Sequence, residues 1–401
     1  MESKKALSAV KSGFARFFGH RLWSDRRTVG FVWMAIAVVA WLTKLSRCNN
    51  FLIYKYTFRH LWDGVSLYAP APEYLDSNYY GPLFGLVAAP FAVVPQWLGL
   101  GMWVVGLAAA LFVAVRYLPV EERQKTFLLW FCAHELLTAL FMQQFNVATV
   151  AMILATYICV ERRREGWAAF FIVVGTLIKL YGVVGLLFFL FAKRKMRFVC
   201  ALVGWSVVLF VAPMIVSSPE FVVSQYGEWV HSLAGKGADN LFSLYQNISL
   251  LGFVRKTTGA ASYSDLWLIA SGLVLFALPL LRFGQWKYAP FRLMMLSSVL
   301  LFVVLFSTGS ESSSYIIAMC GVSLWYTSVP WRRSGWDVVL MIFVFVLTSM
   351  SPSDLFPRTL RMNYVLPYAL KAVPCIVVWL KLLYEGCTRD YKPLNSDVGE
   401  A

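Results

Sequence analysis

Charged side chains are scarce in this sequence: they make up 14% of its 401 residues, against 59% that are apolar. An ordinary soluble domain carries about a quarter charged residues, so that class is excluded. The mean hydropathy of +0.64 points the same way. Strict alternation of apolar and polar residues is also missing, which excludes a transmembrane β-barrel. The seven cysteines show no paired spacing, and Cys132, Cys159, Cys200, Cys320 and Cys375 fall inside apolar stretches. Neither a disulfide framework nor a metal site is expected. No small-residue cleavage site follows the first apolar run, so residues 1–28, basic and weakly amphipathic, read as an uncleaved cytoplasmic leader lying on the lipid surface. No internal duplication is visible.

What the chain has in abundance is apolar stretches, several close to the roughly 20 residues that carry an α-helix across a bilayer. The expected class is therefore an all-α polytopic membrane protein. Hydropathy and charge place twelve spans near 29–46, 97–117, 126–142, 147–160, 166–179, 180–192, 196–216, 264–282, 290–307, 315–329, 335–350 and 364–384. The first seven alternate with loops so that two outer segments are long, 47–96 and 217–263. Residues 29–385 form one transmembrane domain, followed by a cytoplasmic tail over 386–401. With the amino terminus inside, the inner segments hold 25 lysines and arginines and the outer loops 8. That asymmetry fixes the orientation and explains the net charge of +15 without a nucleic-acid partner. The working face is then extracytoplasmic.

Within the first outer loop, Phe51, Tyr54, Phe58, Leu61 and Trp62 recur at helical spacing, which predicts an amphipathic helix in the membrane interface. Residues 82–95, apolar but too short to span and bracketed by prolines, predict a second juxtamembrane helix. The short spans 166–179 and 180–192 predict a tight hairpin.

Polar groups at membrane depth cost about 2.5 to 3.5 kcal/mol when charged, so each needs a reason. Lys179 and Tyr181 stand at the hairpin's outer tip, where a lysine either holds an anionic headgroup or snorkels. His134 and Glu135 are mid-span and read as an interhelical hydrogen bond. Asp63, Glu73 and Asp76 lie among the aromatics of the first outer loop, ahead of Tyr80. A carboxylate there suits a general base acting on a hydroxyl. Glu311 lies on another outer loop. Arg358 and Arg361 crowd near Asp354, and the guanidinium fork suits phosphate. Gln144 with Asn146, and Gln246 with Asn247, are uncharged pairs at outer helix ends that either hydrogen-bond a sugar or cap helices. Asn247-Ile248-Ser249 also matches a glycosylation acceptor, a short and commonly accidental pattern that is set aside.

The order of these features resembles the GT-C glycosyltransferases. More closely, Asn50-Phe51-Leu52-Ile53-Tyr54, Asp63-Gly64-Val65-Ser66-Leu67-Tyr68 and Tyr80-Gly81-Pro82 leading to Ala88-Ala89-Pro90 and Val93-Val94-Pro95 resemble glycosyltransferase family 87. Gln144-Phe145-Asn146, Lys179-Leu180-Tyr181 and Asn247-Ile248-Ser249-Leu250 fall where that family has similar elements. The likeness runs over roughly 47–330. It implies transfer of a hexose, often mannose, from a polyprenyl-phosphate donor to a glycan or glycolipid acceptor outside a bacterial inner membrane, with no cofactor and no obligatory metal. It also implies an aspartate just after the first span, where this chain has Asn50, an amide that cannot take a proton as a carboxylate does. Either another acid serves as base (Asp76 first, then Glu73, Asp63 or Glu311), or the correspondence is displaced, or the chemistry is altered. Lys179, Tyr181, Arg358, Arg361, Gln144, Asn146, Gln246, Asn247, Asn50 and Tyr80 are the expected donor-binding set. A transporter or flippase for a lipid-linked sugar is the alternative, kept alive by His134-Glu135.

Overall fold

The computed structural model describes residues 23–260 and 262–393. The leader over 1–22 and the end of the tail lie outside the described residues. Among the described residues every regular element is helical.

The first helix, α1 (Arg26–Lys44), starts where Asp25 accepts a hydrogen bond from the Thr28 amide at 2.9 Å, an N-cap that satisfies one orphan donor. Its buried face, Val29, Trp33, Ala37 and Ala40, recurs at three- and four-residue spacing. Trp33 is pinned by donating its indole N–H to the Ala108 carbonyl at 2.9 Å.

Two shorter helices follow in the first loop, α2 (Asn49–Asp63) and α3 (Leu83–Ala92). The first ends because Gly64 adopts φ 67°, the left-handed conformation that closes a helix at low cost. Both pack on α4 (Gln96–Tyr117) through Tyr54, Phe84 and Trp103, whose rings meet at centroid distances of 5.0 to 5.9 Å. Edge-on aromatic contacts of this kind add about 0.5 to 1.5 kcal/mol each beyond burial, which ties the loop to the bundle.

Next come α5 (Glu122–Phe141), α6 (Asn146–Glu161) and α7 (Glu165–Lys179). A 3-10 helix, Tyr181–Phe191, then returns beside α7 as the second arm of a hairpin. Eleven residues is long for this geometry, and the sequence explains it. With three residues per turn, side chains three apart eclipse. Gly182, Gly185 and Phe188 form the buried row, while Leu180, Val183 and Leu186 form the exposed one. At about 2.0 Å rise per residue this arm reaches about 22 Å, against roughly 17 Å had it been α-helical. The two arms touch at glycine: a Cβ on Gly182 would lie 2.4 Å from the Gly175 carbonyl carbon.

The longer α-helices that follow are α8 (Lys195–Val211), α9 (Pro219–Asp239), α10 (Leu250–Thr258), α11 (Leu266–Ala277), α12 (Ala289–Leu305), α13 (Tyr315–Thr327), α14 (Gly335–Phe343) and α15 (Val373–Thr388), with short 3-10, π and α turns between them. The segment 217–263, expected as a long loop, is largely the helices α9 and α10. Three helices among the described residues are long and apolar enough to cross a membrane: Arg26–Lys44, Gln96–Tyr117 and Lys195–Ile215. A fourth candidate is bent by 94° between Arg358–Val365 and Leu370–Thr388. The span expected near 364–384 is thus interrupted by a bend. Pro367 lacks the amide that would continue the ladder, and Ala369 turns to φ 52°.

The glycine contact predicts that Gly182→Ala lowers the melting temperature of the purified protein, as overpacking costs about 1 to 3 kcal/mol. Gly166→Ala, where an added Cβ meets nothing within 4 Å, is the control and leaves the melting temperature unchanged. Equal melting temperatures for the two variants contradict the pinched hairpin.

Candidate functional site

The segment 78–81 is the structural hinge of the site. Asn78 Oδ1 accepts from the Tyr80 amide at 3.0 Å, which shapes a local turn. Trp229 of α9 donates its indole N–H to the Tyr79 carbonyl at 3.0 Å. On the other side the Gly81 amide donates to the Ile178 carbonyl, in the last turn of α7, at 3.0 Å. A Cβ on Gly81 would fall 2.0 Å from the Leu177 carbonyl oxygen, so only glycine allows this approach. The first outer loop, the hairpin tip and α9 thus meet at one place.

A cavity of about 270 Å³ opens there. One wall is a chain of hydroxyls: Tyr54 and Tyr80 lie 3.2 Å apart, and Tyr80 donates to Gln144 Oε1 at 3.3 Å. Burial pushes both phenols well above their ordinary value, so they stay protonated and act as donors.

Two ammonium groups face this space. Lys179 donates to Asn146 Oδ1 at 2.7 Å and lies 5.1 Å from the centre of the Tyr181 ring. Asn146 cannot turn its amide, because Nδ2 faces the Ser313 and Ser314 hydroxyls at 3.2 and 3.4 Å. Lys236 of α9 sits 3.6 Å above the centre of the Tyr79 ring. Among the described residues no carboxylate comes within ion-pair distance of either lysine. Burial lowers the Lys236 pKa from its ordinary value, and the longer-range fields of Glu311 and Asp76 partly restore it. Two desolvated cations with no carboxylate in contact make a cavity suited to an anion.

Two acids complete the lining. Asp76 is exposed, and its Oδ1 accepts from the Ser77 amide at 2.8 Å. Glu311 is half-buried and more committed: it accepts from Gln246 Nε2 at 3.3 Å and caps the turn Ser312–Ser314. No group of three or more His, Cys, Asp or Glu side chains among the described residues is arranged to hold a metal ion.

Of the residues expected from sequence, Asp76, Glu311, Lys179, Tyr181, Gln144, Asn50 and Tyr80 line this cavity. Asn146 and Gln246 stand behind Lys179 and Glu311 as hydrogen-bond partners. Others lie elsewhere. Asp63 is exposed at the end of α2, and Glu73 lies 3.8 Å from His60. Asn247 is buried with φ 52°, its amide engaged by Leu241 and Ser249 at the start of α10. Arg358 is exposed; Arg361 donates to the Pro352 and Ser353 carbonyls and lies 3.6 Å from Asp354. Arg361 therefore braces its own loop and neither arginine lines the cavity, because charge type read from sequence does not carry direction. Asn50 donates to the Met142 carbonyl at 2.7 Å. A carboxylate in that orientation would oppose a carbonyl lone pair, so the amide fits where an acid would not.

Among the lining residues that the sequence did not single out are Trp229, Lys236 and Asn240. Asn240 is buried, and its Nδ2 has no hydrogen-bond partner. Trp229, Leu233, Lys236 and Asn240 recur at four, three and four residues, which is one helix face and the signal that could have found them.

Beneath the cavity, Glu135 of α5 pairs with Lys371 at 3.0 Å, both fully buried. His134 is separately held by Ser349 at 3.1 Å. The Lys371 ammonium also donates to the Ser312 carbonyl at 3.1 Å. The pair therefore fixes the turn whose serines orient Asn146, and through it Lys179. Lys371→Met strands the Glu135 carboxylate and is predicted to cost on the order of 3 to 5 kcal/mol. The double variant Glu135→Leu with Lys371→Met recovers most of the melting temperature. A single variant as stable as the parent contradicts the pairing.

No curated protein gives a significant match to the chain. The family model of Glycosyltransferase family 87 matches residues 78–308, more than half of the 401 residues. The match takes in Tyr80, Gln144, Lys179, Tyr181 and Lys236, and Asp76 and Glu311 lie just outside its ends. On that match, an all-helical membrane chain with this cavity at the meeting point of its loops belongs to glycosyltransferase family 87.

Proposed function

We propose that this glycosyltransferase moves a hexose, mannose or a similar sugar, from a polyprenyl-phosphate carrier to an acceptor hydroxyl on the extracytoplasmic face of a bacterial inner membrane, with inversion at the anomeric carbon. The observation that carries the reading is the pair Lys179 and Lys236, neither touching a carboxylate and both facing one cavity that also holds Asp76 and Glu311. In this reading the chain crosses the bilayer twelve times, and the long outer segments build the site.

Asp76 is the proposed base. It is the exposed acid, reached by an acceptor arriving from outside, and Glu311 is already held by Gln246 and its own turn. The acceptor oxygen attacks the anomeric carbon as its proton passes to Asp76. The bond from that carbon to the phosphate oxygen breaks, and the polyprenyl phosphate leaves with the electron pair. Lys179 and Lys236 stabilise the charge that develops on the phosphate, a contribution that is large when donors are preorganised. Glu311, Gln144 and the tyrosine hydroxyls orient the sugar. The prenyl chain reaches the site from the outer leaflet.

In membranes supplied with labelled polyprenyl-phosphate mannose, Asp76→Asn is expected to lower kcat by about 10² to 10⁴, and Glu311→Gln to act more on KM. Undiminished turnover by Asp76→Asn removes it as the base.

The pH dependence has a definite sign. The protonated Lys236 binds phosphate, so donor affinity is complete below its lowered pKa and falls as pH rises through it. That rise in KM begins below the ordinary lysine value of 10.5. Lys236→Arg is expected to remove the Lys236 part of that rise and leave only the part due to Lys179, since a guanidinium does not deprotonate there. A KM profile identical in the two proteins rejects the assignment.

A further inference from the structure

A second cavity of about 560 Å³ lies between α4, α6 and α7, running along α6 from Ala148 to Arg162 just past its end, and it shares no lining residue with the first. Its floor is small: Ala110 and Ala114 from α4, Ala151 and Ala155 from α6. Small residues on facing helices ordinarily let backbones close together. Here the space stays open. One end is ringed by Arg162 and Arg164.

We propose that this groove binds an anionic glycerophospholipid, its phosphate held by Arg162 and Arg164 and one acyl chain laid along the alanine floor. Length and charge both favour that occupant. From Ala148 to Arg162 the lining runs about 21 Å along α6 at 1.5 Å per residue, against about 15 Å for half of a hydrocarbon core about 30 Å thick. The groove is therefore long enough to take an acyl chain from the headgroup level through one leaflet. The arginines are placed for the headgroup by a tight turn: Arg163 adopts φ 56°, and the Arg164 amide donates to the Cys159 carbonyl at 2.7 Å. Arg162 is anchored by donating to the Tyr117 carbonyl at 3.1 Å and stacking 5.1 Å from the centre of that ring.

The local charge is uncompensated. Of the two acids flanking the cluster, Glu161 is taken by Arg292 through two bonds of 2.6 and 2.7 Å, and Glu165 is buried with its Oε1 accepting from the Arg194 amide at 3.2 Å. Among the described residues no carboxylate pairs with Arg162, Arg163 or Arg164. Basic pockets between transmembrane helices on the cytoplasmic side select anionic headgroups, and the cation asymmetry puts this cluster on that side. The site is independent of the glycosyl-transfer cavity.

The test is native mass spectrometry of the full-length protein in detergent, with dioleoyl phosphatidylglycerol or dioleoyl phosphatidylcholine added at equal concentration. Phosphatidylglycerol is expected to be retained at least about fivefold more, the factor one basic residue near an anionic headgroup contributes. The double variant Arg162→Gln with Arg164→Gln, altered only at exposed positions, loses the preference. Ala155→Leu fills the groove and lowers retention of both lipids, and its lipid-free melting temperature separates this effect from misfolding. Equal retention of the two lipids by the parent protein overturns the proposal, as does a preference that survives in the arginine variant. Glycerol phosphate competing as well as the whole lipid overturns the role of the groove.

Discussion

An ammonium group taken from water needs compensation, and two of them sharing one small cavity need it from the same source. At contact distance Lys179 and Lys236 receive only neutral help, from Asn146 and from the faces of Tyr79 and Tyr181, while Glu311 and Asp76 act on Lys236 from farther off. Aromatic faces and amide oxygens stabilise a cation partly, leaving charge to be met by a ligand. The segment 78–81, the hairpin tip and the last turns of α9 serve to hold this arrangement. Each is fixed by backbone geometry, which places charge more reliably than long side chains alone.

Helix positions were largely legible in the sequence, since apolar runs must hydrogen-bond their own backbone. The boundaries of α2 and α3 follow from aromatic spacing, Gly64 and the flanking prolines. How far each helix reaches is less legible. The arm Tyr181–Phe191 reads as a short span until its period of three, with glycine at Gly182 and Gly185, is recognised as a 3-10 pattern. The last apolar segment reads as continuous, yet Pro367 breaks it.

The site was legible where the chemistry is local. Lys179-Leu180-Tyr181 stands at a turn between apolar runs, and a lysine there demands a reason. Lys236 was hidden because α9 mixes polar and apolar residues and has no apolar core to announce a helix; only the spacing from Trp229 to Asn240 betrays its face. The misplacement of Arg358 and Arg361 has the opposite cause. Their charge is visible in the sequence, but the carbonyls of Pro352 and Ser353 that occupy Arg361 are not. Asn50 shows a third case, in which an unexpected residue type is explained by a single partner, the Met142 carbonyl.

A structure of the protein with a polyprenyl-phosphate analogue bound tests the central claim most directly. Phosphate density is expected with oxygens within roughly 4 Å of both the Lys179 and Lys236 ammonium groups, ion-pair distance, and the sugar between them and Asp76. Phosphate density at Arg358 and Arg361, with the two lysines left unengaged, would contradict it.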